Sequence, residues 1–174
     1  MKIFVETDRL ILRELVPTDA AGMFALDSDP EVHQYLGGNP VKSIEQSQDD
    51  IEFIRKQYEK NGIGRWAVIE KSTNEFIGWG GLKLITEPIY NHVNYYDVGY
   101  RFIKKFWGKG YASETAKASI DYGFSQLGQP SLYAMADVNN QASIHVLEKS
   151  GFKRLAKFDY KGTPSYWFEI SVVR

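Results

Sequence analysis

The chain has 174 residues, 43% hydrophobic and 25% charged, with a formal net charge of −1 and no cysteine. A chain of this length buries about 70% of its unfolded surface, enough for a core without covalent staples, and the mixture excludes a mainly disordered chain. The missing cysteine excludes disulfides, zinc ribbons, iron–sulfur clusters and a thiol nucleophile, and the near-neutral charge argues against a general nucleic-acid binder.

Charges interrupt every apolar run of the first fifteen residues, so they do not read as a signal peptide, and no later stretch is long and apolar enough to span a membrane. The expectation is one soluble, cytoplasmic domain over residues 1–174. Arg9 to Leu15 reads as a strand, and Pro17 to about Leu26 as a helix with Pro in its first turn and Asp19 at its positive end. Gly37 to Pro40 is a loop. Ser43 and Gln46 open a polar helix that runs to about Lys60 and stops at Asn61 and Gly62. Arg65 to Glu70 and Phe76 to Ile85 form a hairpin around Lys71 to Asn74. In the strand from Tyr95 to Ile103, Tyr96, Val98, Tyr100 and Phe102 share one face, and Asp97, Gly99, Arg101 and Ile103 the other. Lys109 to Leu127 is helical with one apolar stripe, Ser131 to Val138 is a strand, and Asn140 to Ser150 is a helix closed by Gly151. Phe152 to Phe158 and Tyr166 to Val173 make a last hairpin around Lys161 to Pro164. The order predicts a mixed α/β domain.

The segment richest in chemistry runs from Asp97 to Glu114. A strand enters a short turn holding Lys104, Lys105 and Lys109 together with Gly108 and Gly110, and a long helix follows. Glycine lets backbone approach a ligand, and the first amides of a helix lack internal partners, so the turn forms an anion cradle suited to a phosphate or pyrophosphate. A P-loop would need Ser or Thr after Gly-Lys, where Gly110 stands, and a dinucleotide fingerprint would need glycine where Ser113 stands. On spacing alone, a plain strand-to-helix turn that uses glycine fits equally.

A second segment, Asp137 to Phe152, changes the reading. Together the two resemble the GNAT superfamily of acetyl-CoA-dependent N-acetyltransferases. The family's pyrophosphate loop runs Gln or Arg, two variable residues, Gly, one variable residue, then Gly or Ala. Lys105, Gly108 and Gly110 fall on these positions, with Lys in the Gln/Arg slot. Asn140, Ser143, Glu148, Lys149, Gly151 and Phe152 match the second signature. The Trp107 to Glu114 run and the opening Glu6 to Arg13 resemble the RimJ/RimL-like branch, named for ribosomal-protein N-terminal acetylation. The resemblance implies a GNAT-like fold: a twisted mixed sheet of about seven strands flanked by about four helices, split between the strands at 95–103 and 131–138.

It also implies a mechanism. Acetyl-CoA would lie in the split, with the backbone of Phe102 and Ile103 pairing with the pantetheine amides. The amides of Trp107, Gly108, Lys109, Gly110, Tyr111 and Ala112 would hold the pyrophosphate, beside Lys105. Asn140 would bond the pantetheine arm, and Asn is equally a good helix N-cap. An amine would attack the thioester directly, so the enzyme must supply proximity, a neutral amine and oxyanion stabilisation. Asp97 is the candidate base, where this branch often carries an acid; a strand-end ion pair is the other reading of it. Many members carry a Tyr acid seven positions after the Asn, where this chain has Leu147. Ser143 is then the candidate proton donor to the leaving thiolate, or an ordinary first-turn serine. The three histidines show no ligand spacing, so no metal is expected. The acceptor is expected to be a primary amine, either a protein N-terminus or a small amine, with no nucleic-acid or membrane partner and room for a homodimer. A non-catalytic acyl-CoA sensor, or an enzyme acting on a polyamine or an antibiotic, are the alternatives.

Overall fold

The computed structural model describes residues 1–173. Eight strands form one sheet in the order β1-β2-β3-β4-β5-β6-β8-β7. These are β1 (Ile3–Glu6), β2 (Leu10–Glu14), β3 (Arg65–Glu70), β4 (Glu75–Ile85), β5 (Tyr95–Phe102), β6 (Ser131–Asp137), β7 (Lys153–Tyr160) and β8 (Thr163–Ser171). The helices are α1 (Ala20–Asp27), α2 (Ile44–Asn61), α3 (Tyr111–Ser125) and α4 (Gln141–Lys149). Neighbouring strands are antiparallel except β5 and β6, which α3 connects in parallel.

The eighth strand, β1, lies outside the sequence expectation of about seven. It pairs with β2 from the sheet edge, and its burial is partial, so its sequence carries no clean alternation. Two boundaries also shift. Lys161 and Gly162 both take positive φ (49° and 89°), the requirement of a two-residue primed turn, so the last hairpin closes tighter than the expected Lys161 to Pro164 loop. Pro164 then falls inside β8, beyond the Asp137–Ser165 end of the β6 ladder. Gly108 and Gly110 take φ of +74° and +82°, which no helix accommodates, so α3 begins at Tyr111 rather than Lys109.

The sheet is covered on both faces, and β3 shows how. All six of its residues are buried. Trp66 and Val68 join the core that contains Ala118 and Ile120 of α3, while Ala67 and Ile69 join the core of Met23 from α1 and Ile51 from α2. The two-residue alternation of a strand thus feeds two layers.

The functional geometry comes from one local failure of pairing. β5 keeps eight register pairs with β4, from Gly78–Phe102 to Ile85–Tyr95, and β6 keeps seven with β8. Between β5 and β6 only Asp97 and Tyr133 are in register. Beyond that point each strand follows its antiparallel neighbour, and the sheet opens. The β4–β5 contact is close enough to demand glycine: a Cβ on Gly78 would sit 2.2 Å from the Arg101 carbonyl oxygen. Gly78→Ala is expected to destabilise the protein by about 3 kcal/mol, the upper end for overpacking, because the obstacle is backbone in a packed sheet. Urea unfolding checks this; an unchanged midpoint would contradict it.

Candidate active site

The opening between β5 and β6 is a cleft of about 510 Å³ whose walls include Gly99, Tyr100, Asp137, Asn140 and Ser143. Trp79 and the segment Tyr35 to Gly37 close its other side.

The anion cradle follows β5 in the chain. Phe102 ends β5, and a short 3-10 turn spans Lys104–Phe106. The amide of Trp107 is already used, donating to the Lys104 carbonyl at 3.0 Å. The amides from Gly108 to Ala112 have no protein acceptor among the described residues. These orphan donors, at the positive end of a fifteen-residue helix, are what an anion needs. A Cβ built on Gly108 would meet nothing within 4 Å, so the space before the loop is open. Lys105 is exposed and lies 3.8 Å from Glu75, and Lys104 pairs with Glu31. Lys109 has no carboxylate partner among the described residues. The side chain of Tyr111 is not available: it is buried, and its hydroxyl donates to Glu70. Only its amide, like that of Ala112, can serve the cradle.

Along the cleft wall, Ile103 has both backbone groups engaged. Its amide donates to Ile77 O at 3.0 Å and its carbonyl accepts from Phe106 N at 2.9 Å. Antiparallel alternation then turns the backbone groups of Tyr100 and Phe102 away from β4, toward the opening. The Phe102 carbonyl accepts from the Trp107 indole at 2.8 Å. Asn140 caps α4 by accepting from the Ser143 amide at 3.2 Å, which leaves its side-chain NH₂ for the cleft. One side chain thus caps the helix and offers a donor to a ligand.

Ser143 has a partner the sequence reading missed. The Tyr100 hydroxyl lies 3.1 Å from Ser143 Oγ and 3.3 Å from its carbonyl. Burial pushes the Tyr100 phenol up to about 12, against the opposing effect of the Ser143 contact, so it stays protonated at neutral pH. Tyr100 shares a strand face with Val98 and Phe102 and therefore reads as core; only the splitting of the sheet places its tip in the cleft. Leu147, at the position where a Tyr acid was sought, is buried in the core.

Asp97 lies inside an ion pair. Arg65, the first residue of β3, reaches across β4, donates to Gly81 O at 2.6 Å and Asp97 O at 2.8 Å, and pairs with the Asp97 carboxylate. Gly99 makes room for it: a Cβ there would sit 2.8 Å from the guanidinium. Burial pushes the Asp97 carboxyl up, and the Arg65 charge and hydrogen bond pull against that without cancelling it. Asp97 Oδ2 is the oxygen that Arg65 takes; Asp97 also lines the cleft. Arg101, beside it, pairs with Asp27 at 2.6 Å under the Trp79 ring. Arg65 gave one signal in sequence, a cation standing directly before the apolar run from Trp66 to Ile69. No group of three or more His, Asp or Glu side chains is placed to hold a metal among the described residues.

Unused amides at a helix N-terminus, on the segment that follows the parting strand β5, suit a phosphate-bearing ligand. Residues 9–153 match the acetyltransferase (GNAT) domain, and the chain belongs to that family. It is 38% identical to the uncharacterised N-acetyltransferase YoaA of Bacillus subtilis over 98% of this chain and 96% of the relative. An acetyltransferase of the GNAT family from Bacillus anthracis superposes with a TM-score of 0.80 at 26% identity, over 97% of this chain and 98% of that one. The fold is also that of RimL, a ribosomal L7/L12 α-N-protein acetyltransferase solved with coenzyme A, with a TM-score of 0.82 at 19% identity over 98% of each chain. The protein is an N-acetyltransferase, of a family that uses acetyl-CoA to acetylate amines. The open space before Gly108, the unused amides and the free Asn140 NH₂ fit such a donor. Gly108→Asp, which adds a negative charge and a side chain at positive φ, is expected to abolish coenzyme A uptake in calorimetry; retained affinity would show the cradle lies elsewhere.

Proposed function

We propose that this single-domain protein transfers the acetyl group of acetyl-CoA to a primary α-amine, of a peptide N-terminus or a small molecule, inside the β5–β6 cleft. The observation that carries this reading is the run of unused Gly108 to Ala112 amides on the segment that follows β5, whose parting from β6 leaves a cleft that holds Asp97 and the Tyr100–Ser143 hydroxyl pair.

The donor supplies an activated acetyl carbon, and the chain supplies position and proton traffic. An α-amine of pKa about 7.8 is roughly 10–15% neutral at pH 7, whereas a lysine amine of pKa about 10.4 is below about 0.1% neutral. The difference is about 3.5 kcal/mol that a base would otherwise have to supply. Asp97 suits the lighter task. Its pairing with Arg65 keeps charge on it, and burial makes it a stronger base than a surface aspartate. It takes the amine proton through water. At the other end, the Ser143 hydroxyl, held by Tyr100, donates a hydrogen bond to the departing sulfur, and the Tyr100 phenol keeps its own proton at neutral pH. The released thiolate, whose conjugate acid has a pKa of about 8.5, takes its proton from water.

The cleft walls carry Arg65, Arg101 and Lys161 against Asp97 and Asp137. Since Arg65 already holds Asp97, the lining offers a polyamine little attraction, and it favours an acceptor whose amine stands beside neutral or anionic groups. Thiol release measured over a panel of amines tests this. A peptide or amino-acid α-amine is expected to give a higher kcat/KM than spermidine, and the reverse order would contradict the assignment.

Asp97→Asn keeps the volume and a hydrogen-bonding oxygen toward Arg65. It is expected to lower kcat about 100-fold while leaving coenzyme A affinity within about twofold. Because burial raises the Asp97 carboxyl, the wild-type rate should fall as acid protonates that group, and the variant should lack this loss. An unchanged kcat would remove Asp97 from the reaction.

A further inference from the structure

The opening residues that resemble one branch of the family have no place in the cleft, yet the structure brings them to the back of the cradle. The turn from Thr7 to Arg9 joins β1 to β2. The Arg9 backbone is fixed to the sheet, because Lys71 N donates to Arg9 O at 2.8 Å. Its side chain then crosses to the loop before α3. Nη1 donates to the Lys109 carbonyl at 2.9 Å and Nε to Glu114 Oε1 at 2.7 Å. The guanidinium lies 4.3 Å from the centre of the Tyr111 ring. Thr7 Oγ1 donates to Glu114 Oε2 at 2.5 Å, and the Arg9 amide donates to the same oxygen at 3.2 Å. Burial pushes the Glu114 carboxyl up, but the Thr7 and Arg9 hydrogen bonds outweigh it and hold the group below its usual value, so it is a carboxylate at neutral pH. Glu114 also sits in the first turn of α3, where negative charge is favourable.

The direction of the Lys109 carbonyl matters more than its bond. In a trans peptide the carbonyl and the next amide point in opposite directions. A carbonyl held back toward Arg9 therefore aims the Gly110 amide forward, into the cradle. Gly110 has no side chain to anchor it and takes φ +82°, so an untethered Lys109–Gly110 peptide can rotate and present its oxygen, rather than its N–H, to an anion. Arg9 removes that freedom and adds positive charge behind the loop.

We infer that Arg9, held by Glu114 and Thr7, is a positioning residue for the diphosphate-binding amides: it sets the Lys109–Gly110 peptide so that its N–H faces the donor. The inference rests on the reading that the donor's diphosphate docks at this loop. The competing role is simple fastening of α3 to the β1–β2 turn.

The two roles differ in what they do to a ligand that lacks the diphosphate. Titration calorimetry of the full chain with coenzyme A and with pantetheine compares the wild type with Arg9→Gln, Arg9→Lys and Arg13→Gln. The last variant breaks the Arg13–Asp19 pair, toward the far end of β2 and away from the loop. Arg9→Gln is expected to bind coenzyme A about tenfold more weakly, with pantetheine affinity within twofold of wild type, and to raise KM for acetyl-CoA while kcat at saturation holds. Arg9→Lys, which keeps a charged donor, is expected to restore part of the affinity for coenzyme A. Arg13→Gln is expected to lower the melting temperature without changing the ratio of the two affinities. An unchanged ratio in Arg9→Gln, whatever its melting temperature, would overturn the positioning role. If the wild type bound pantetheine but gained nothing from the diphosphate, the cradle and the role of Arg9 would fall together.

Discussion

The structure turns on the parting of two parallel strands. β5 is committed to β4 and β6 to β8, and the two meet in register only at Asp97 and Tyr133. A sheet normally satisfies its backbone groups by pairing, so a split leaves donors and acceptors that something must bind. The backbone groups of Tyr100 and the Phe102 amide turn toward the opening, the Gly108 to Ala112 amides have no protein acceptor among the described residues, and the Asn140 NH₂ is left for the cleft from α4. In the proposed reaction, a donor that is part amide chain and part diphosphate would complete this arrangement without any change of fold. The cleft is thus less an added feature than an unfinished piece of sheet.

The buried Arg65–Asp97 pair governs the other end. Placing two charges in the sheet interior carries a desolvation cost, and removing one partner would leave the other stranded, a loss of about 3–5 kcal/mol. In the proposed reaction the pair also sets the electrostatics of the acceptor side, because it presents a carboxylate that burial has made more basic and whose charge the guanidinium offsets, leaving a polycation little attraction. Acidic strength, charge selection and strand position are therefore linked through one contact, and a change at Gly99 would disturb all three, because the guanidinium lies against it.

Much of this was legible in the sequence, for a reason that can be located. Helix ends, turns and the cradle depend on local chemistry: Ser43 accepting from Gln46, Gly62 at φ +71°, Gly108 and Gly110 before a helix. The glycine and Asn140 motifs fell where such local rules hold. What was not legible was carried by residues distant in the chain. Arg9 and Glu114 are 105 positions apart, Arg65 and Asp97 are 32 apart, and Tyr100 and Ser143 are 43 apart. No period or spacing predicts such meetings. The edge strand β1 was missed for a different reason, since its run of three apolar residues is short, half-exposed and shows no alternation. The carry-over from the family placed Ile103 on the pantetheine wall, where its amide and carbonyl are already spent on Ile77 and Phe106.

The central claim is that the donor completes the split sheet through particular backbone amides. Amide hydrogen exchange, followed by NMR with and without acetyl-CoA, reads those amides one by one. The account predicts that protection rises at Gly108 to Ala112 and along Tyr100 and Phe102, while β1 and the β7–β8 hairpin stay as they were. Saturating binding that left Gly108 to Ala112 exchanging at their unliganded rates would contradict it.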